Sequence, residues 1–252
     1  MTSEGGNAGG VAAVDRALAV LAALGEDGTG APVPLALLAR RTGLYKSTIL
    51  RLLESLERAN YAQRDGAQGW RLGPGPVPLA DAYRRGFRIG DLVRPLLASM
   101  VARCGESASF YVHDGEKRLC LSRVEASHPV RDSVREGDRL PLDRGASGRA
   151  LLAFAAGLAA VRAIPPQQRV LVSFGERSAE TAGVAAPILS GDGTLAGVIG
   201  FSGPITRFTG PAVHAMREEA ARSAARLTRS LGGDGAPLEE AAALLAAMEK
   251  AS

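Results

Sequence analysis

Only two of the 252 residues are cysteine, only three are histidine, three of the thirty basic residues are lysine, and aromatic residues make up 4%. Each scarcity excludes something. Cys104 and Cys120 stand far apart, with no C-x-x-C pair and no histidine at metal-ligand spacing, which argues against a zinc site and against a disulfide framework. Both are expected to be reduced thiols, and neither a metal nor another cofactor is expected. His113, His128 and His214 carry no motif around them. Ser147, in Gly145-Ala-Ser-Gly-Arg149, does not complete G-x-S-x-G because Arg149 occupies the last glycine position, so a hydrolase lacks both a nucleophile turn and a base. The chain is therefore not read as an enzyme. No uncharged apolar run approaches the roughly 18 residues of a membrane span. The start, MTSEGGNAGG, lacks the basic and apolar parts of a secretory signal, so residues 1–10 are expected to be a disordered leader on a cytoplasmic protein. The preference for arginine over lysine, with abundant alanine and glycine, reads as the codon bias of a G+C-rich genome.

What is present is an ordinary apolar content of 46% and a net charge of +4 that is unevenly placed. Between residues 34 and 73 lie seven basic residues (Arg40, Arg41, Lys46, Arg51, Arg58, Arg64, Arg71) against three acidic ones (Glu54, Glu57, Asp65). An excess confined to one short segment points to a polyanionic partner.

Helical spacing predicts a first helix over 11–24, a second from Pro34 to Arg41 stopped by Gly43, and a third from about Tyr45 to Ala59. Strand-like pieces at 61–64 and 69–72 flank the turn Asp65-Gly66-Ala67-Gln68. The run Gly73-Pro-Gly-Pro-Val-Pro78 is unsuited to helix interior and is expected to close the first domain. Further on, helices are predicted to about Arg85, over 89–103, over 147–158 and from Thr209 to Leu231. Strands are predicted at 108–113, 118–124, 130–134, 170–174, 182–189 and 195–201, with Asp114-Gly115 and Gly191-Asp-Gly193 as hairpin turns. The class is α+β with an antiparallel sheet. The expected division is a leader (1–10), a first domain (11–73), a linker (74–88), a second domain (89–232) and a tail (233–252) that holds an alanine-rich helix of no visible role.

In the third helix, Ile49, Leu52, Leu53 and Leu56 form a complete apolar stripe at i, i+3, i+4 and i+7. Lys46, Ser47 and Arg51 must then point away from it, flanked by Thr48 and Leu50. Taken alone, such a face is a solvated surface. Preceded by a helix and a glycine turn and followed by a short hairpin, it is the second helix of a winged helix-turn-helix, the element that enters a DNA major groove. Lys46, Ser47, Thr48 and Arg51 would supply donors and charge, and Arg64 and Arg71 would approach phosphates from the wing. Trp70 fits either the wing core, which is favoured, or a groove contact. The second domain has its own candidate: Gly145-Ala146-Ser147-Gly148 opens a helix whose first N–H groups and Ser147 hydroxyl could hold a carboxylate, or could be a plain cap with small residues for packing.

The run LARRTGLYKSTILRLLESLERANYAQRD…GWRLG resembles the DNA-binding half of the IclR family of bacterial transcription regulators. The segments LSRVEASHPVRDSVREGDRLPLDRGASGRALLAF, SFGERSAETAGVAAPI and GVIGFSGPITRFT resemble that family's effector-binding domain in order and spacing. The resemblance covers about residues 11–232 and implies an N-terminal winged helix-turn-helix, a linker helix and a C-terminal GAF/PAS-like effector-binding domain. The protein would be a dimeric or tetrameric regulator whose binding to double-stranded operator DNA is controlled by a small molecule, such as a carboxylic acid or an aromatic metabolite. It places DNA contacts at Arg40, Lys46, Ser47, Thr48, Leu50, Arg51, Arg64 and Arg71. Carried over position by position, it places effector contacts at Leu140, Ala146, Ser147, Ser173, Gly183, Gly200 and Ser202. Two departures stand out. Only residues 155–169 lie where family members carry a longer helical insertion, so a more open pocket is expected, and Trp70 and Leu50 replace residues more common in the family. The alternatives are a winged-helix protein-interaction module without DNA affinity and, ranked below it, a small-molecule hydrolase.

Overall fold

Ile49 and Leu53, one helical turn apart, have no exposure to solvent, and Leu52 and Leu56 are half-covered beside them. This stripe seats α3 (Lys46–Arg58) against α1 (Ala12–Gly25) and α2 (Leu35–Thr42), around a core completed by Val20, Leu24, Leu38 and Trp70. The structure, a computed structural model, describes residues 10–66, 69–86 and 89–249. The leader up to residue 9 and half of the hairpin turn, Ala67 and Gln68, lie outside the described residues. The chain divides into two compact units, residues 1–86 and 87–252.

In the first unit, Gly43 closes α2 with φ +69° and donates its N–H to Ala39 O. Nothing would meet a Cβ there, so the left-handed backbone itself is what requires glycine. Pro34 serves as N-cap rather than as a first-turn residue, because Val33 before it is extended and exchanges both backbone hydrogen bonds with Trp70 (2.7 and 3.0 Å). Val33 thereby lies against the hairpin of β1 (Ala62–Asp65) and β2 (Gly69–Leu72), and a Cβ on Gly69 would come 2.4 Å from Val33 O. Trp70 is 5% exposed and belongs to the wing core, as favoured from the sequence. The proline-rich run behaves differently from expectation: α4 (Pro76–Gly86) begins inside it. Pro76 and Pro78 sit in the first turn, where a helix has no use for their missing N–H groups.

The second unit starts with α5 (Ile89–Cys104) and the strands β3 (Ser107–Asp114), β4 (Lys117–Val124) and β5 (Arg139–Pro141). There follow α6 (Gly145–Ala153), α7 (Leu158–Ala163), β6 (Leu171–Phe174), β7 (Thr181–Leu189), β8 (Leu195–Pro204), α8 (Gly210–Ser230) and α9 (Ala236–Glu249). The six strands form one antiparallel sheet in the order β5-β4-β3-β8-β7-β6. Every residue of β7 from Ala182 to Leu189 is buried, as in a strand covered on both faces; α6 and α8 both pack on it.

Three expectations fail here for identifiable reasons. Residues 130–134 form no strand. The Asp132 carbonyl accepts from the Arg123 side chain (3.1 Å), and the strand that does pair with β4 is the later β5. The predicted helix over 147–158 is two helices, split at Gly157 (φ +63°), where a Cβ would lie 2.1 Å from Gly193 O. The segment read as a tail is core: Leu238, Ala241 and Leu245 have no exposure, and α9 packs along α8. Arg169, nearly buried, fastens it by donating to Val161 O (2.9 Å), Ile164 O (3.0 Å), Pro237 O (2.7 Å) and Glu240 (2.7 Å).

Leu245→Ala should therefore lower the stability of the second unit by about 2–5 kcal/mol, whereas Leu244→Ala on the exposed side of the same helix should stay within about 0.5 kcal/mol. Urea titration followed by circular dichroism measures both.

Candidate functional site

With the stripe of α3 buried, Lys46, Ser47 and Arg51 are exposed, Leu50 is 38% exposed and Thr48 is half-buried. Lys46 and Ser47 stand one turn before Leu50 and Arg51, so the four form one outward patch. Tyr45, the N-cap, supplies no side-chain cap and is 84% exposed, and the first turn holds no acidic residue. The opening N–H groups of α3 and the adjacent Lys46 thus present positive potential that no acidic residue of the first turn offsets. Among the described residues, no ion pair engages Arg40, Lys46 or Arg51. Arg41 is different: it pairs with Glu26 (3.0 Å) and Asp27 (2.6 Å) and donates to Ala23 O (2.8 Å), so it pins the end of α1 to α2. On the hairpin, exposed Arg64 lies over the Trp70 ring at 6.0 Å, and half-exposed Arg71 faces Asp65 at 3.6 Å.

In the second unit, strand register sets Ser173 opposite Gly183 and Gly183 opposite Ser202. The start of α6 rests on this row. Ala146 N–H donates to Ser173 Oγ (2.8 Å), and a Cβ on Gly183 would meet Ser173 Oγ at 3.6 Å and Ala146 Cβ at 3.8 Å. Beside the row opens a small cavity of about 30 Å³. Ala146, Ser147, Ser173, Gly183 and Ser202 border it. Leu140 and Gly200 do not. Leu140 sits on β5 opposite Arg118, packed against the core, and Gly200 is small because a Cβ would fall 1.9 Å from Val184 O on the next strand. The idea that the first N–H groups of α6 await a carboxylate also needs correcting. Gly145 N–H already donates to the Glu176 carboxylate (3.0 Å), which Arg149 holds from outside (2.6 Å), and Ala146 N–H is taken by Ser173.

The chain matches two family models: the IclR helix-turn-helix domain over residues 13–66, and the bacterial transcriptional regulator IclR C-terminal domain over residues 82–170. Between them they take in more than half of the chain. The chain belongs to the IclR family of bacterial transcriptional regulators. The HTH-type transcriptional regulator BhcR of Paracoccus denitrificans is 31% identical over 150 residues, covering 59% of this chain and 53% of that protein. The chain thus spans about half the length of that relative. KipR of Bacillus subtilis, also an HTH-type transcriptional regulator, is 23% identical over 216 residues, 76% of this chain and 86% of that one. Among solved structures, an IclR homologue from Microbacterium hydrocarbonoxydans in complex with 4-hydroxybenzoate shares the fold at a TM-score of 0.70 and 22% identity, covering 87% of this chain and all of that one. These relatives are transcriptional regulators and not enzymes, and the hydrolase alternative falls with that finding.

Within this IclR fold the cavity has charged walls that sequence reasoning missed: Arg118, Asp132 and Arg177. Arg118 is 3% exposed, donates to Pro141 O and to Arg144 O (2.8 Å), and lies 5.4 Å over the Tyr111 ring. Burial lowers its affinity for a proton and raises Tyr111 to about 12, so the phenol stays neutral. Arg177 forms an ion pair with buried Asp132. Arg123, 5% exposed, donates to Ser109 Oγ (2.8 Å) and Ser202 Oγ (3.3 Å). Arg118 and Arg123 have opposite parity along β4, yet both face this region, because a bulge skips Leu121: Cys120 pairs with Tyr111 and Ser122 with Phe110. The available signal was Arg118 two residues from Cys120 in a strand; the bulge had none. Cys120 and Cys104 are held up at about 12 and about 11 by burial, which makes them unreactive thiols.

Gly148 is explained by the same cluster, since a Cβ there would lie 2.4 Å from both Arg118 Nη1 and Leu142 O. Gly148→Ala should cost about 1–3 kcal/mol through overpacking, while Gly210→Ala, where a Cβ meets nothing, should be neutral or stabilising by up to about 1 kcal/mol. Thermal denaturation of the two variants is the check.

Proposed function

We propose that this IclR-type regulator binds double-stranded operator DNA through α3, with the hairpin as a wing, and that a small molecule in the cavity of the second unit alters that affinity. The observation that carries the DNA reading is the outward patch of Lys46, Ser47, Leu50 and Arg51, cationic and unpaired, opposite an apolar stripe complete without it. The opening of α3 offers N–H groups to a phosphate, Ser47 and Thr48 add hydroxyl donors, and Arg51 is placed to read a base edge. Arg40, Arg64 and Arg71 supply phosphate contacts, and Leu50 adds an apolar contact. A single winged helix covers too little DNA for regulatory affinity, so the working form is a homo-oligomer on a site of matching symmetry.

Arg51→Ala should cost about 1–3 kcal/mol on the specific site and relax preference at one base pair, while Arg64→Ala should weaken all sequences alike and flatten the salt slope. Gel-shift titrations over several salt concentrations decide this, and salt-independent binding by the wild type would refute the DNA reading. The same titrations on a light-scattering column report the oligomer; a strict monomer on DNA would remove that part.

The effector reading is supported by a cavity bordered by five residues of the family's pocket, and by a homologue of the same fold complexed with 4-hydroxybenzoate. No residue of the short segment 155–169 lines the cavity; Asp132, from the loop between β4 and β5, walls it instead. An effector acts only if the DNA-competent and incompetent states bind it unequally. Ser147→Trp should fill the cavity and abolish both the thermal shift given by a ligand and that ligand's change in DNA affinity; a ligand whose effects survive the substitution binds elsewhere.

A further inference from the structure

We infer that α3 reads a T·A base pair directly beside a G·C pair, with Leu50 covering the thymine methyl and Arg51 taking the guanine edge. This rests on the DNA reading above. Its basis is the place of Leu50 among the leucines of its own helix. Leu53 has no exposure, and Leu52 and Leu56 are half-covered against the core, whereas Leu50 is 38% exposed. At about 100° per residue, Leu50 lies more than a right angle round the helix from the middle of the buried stripe, on the side of exposed Ser47 and Arg51. An apolar group thus stands inside the outward patch, next to its arginine.

A helix that only gripped phosphates would have no use for this leucine, which carries no charge and donates nothing. In the major groove one apolar group is on display, the 5-methyl of thymine. Leucine pressed against the amino group of cytosine, or against the polar edge of a purine, strips those atoms of water and returns no hydrogen bond. Against the methyl, both partners withdraw apolar surface from water. Leu50 therefore favours thymine and disfavours the other three bases by the same contact. Arg51 follows it in the chain, with Cα atoms about 3.8 Å apart against a base-pair rise of about 3.4 Å, so the two side chains reach successive pairs. Among the described residues no ion pair holds Arg51, and its guanidinium matches N7 and O6 of guanine with two donors. Ser47, one turn earlier, both donates and accepts, and so accommodates either pair.

The test is selection of duplexes from a randomised pool by the full-length protein, followed by gel-shift titration of the selected duplex with single thymines replaced by uracil, which removes the methyl and nothing else. The selected half-site should contain a T·A pair beside a G·C pair, and uracil at that thymine should weaken binding by about three- to fivefold. Leu50→Ala should lose a similar factor on the thymine duplex and bind the uracil duplex equally well. Leu50→Gln, selected on the same pool, should move the preference at that pair to adenine and keep the neighbouring guanine, which Arg51→Ala alone relaxes. Circular dichroism of both Leu50 variants should match the wild type, since the buried stripe of α3 is untouched. Equal binding of every uracil-substituted duplex, or a uracil penalty that survives Leu50→Ala, would overturn the inference. So would an enriched sequence without a T·A pair beside a G·C pair, and in each of these cases the DNA reading stands. If the wild type enriches no sequence, both fail.

Discussion

A guanidinium taken out of water must be met by acceptors or counter-charge, and the second unit is arranged around two that are nearly buried on one strand, Arg118 and Arg123. Arg118 is met by the carbonyls of Pro141 and Arg144, which fixes where the chain leaves β5 and enters α6. Arg123 is met by Ser109, Ser202 and the Asp132 carbonyl, which draws the loop after β4 inward and denies it a place in the sheet. The bulge at Leu121 lets one strand deliver both groups to the same side. Take these two side chains away, and the inward loop and the placement of Asp132 would lose their physical reason, while Gly148 would still be required by the backbone at Leu142. The cavity is walled by Arg118 itself and by Ser202 and Asp132, both of which Arg123 holds.

The first unit obeys a simpler constraint. A helix 13 residues long that buries Ile49 and Leu53 cannot also bury Arg51, which lies on its other side, and Lys46 is exposed because it opens the helix, a turn before the stripe begins. The surrounding charges are sorted by the same logic of satisfaction. Arg41 is drawn into a structural contact with Glu26 and Asp27, so the charge excess visible in composition overstates what is free. Arg40, Lys46 and Arg51 have no such partner among the described residues. The first unit thus divides its basic residues into those that hold the fold and those with no partner among the described residues.

The elements of the first unit up to the hairpin were legible in the sequence to within a residue or two, because each rests on local rules: helical spacing, Gly43 in the left-handed region, and a hairpin with Trp70 inside. In the second unit α5, α8 and most strands were legible for the same reason. The strand expected at 130–134 was not there, because alternation along a chain shows which residues point inward and not whether a neighbour offers a ladder. Likewise α9 was visible as a helix, yet its role in the core depends on α8 and on Arg169, which lies 71 residues before Glu240.

Of the cavity, the sequence by way of family resemblance determined the small residues, Ala146, Ser147, Ser173, Gly183 and Ser202, and it determined the exposed face of α3 by periodicity alone. Only the tertiary structure decided that Leu140 and Gly200 serve packing, that Glu176 claims the first N–H of α6, and that Arg118, Asp132 and Arg177 wall the same space. The reason is physical: a helix face is fixed by an angle of rotation between neighbours in the chain, whereas the pairing of Asp132 with Arg177 spans 45 residues and exists only once the sheet has brought them together.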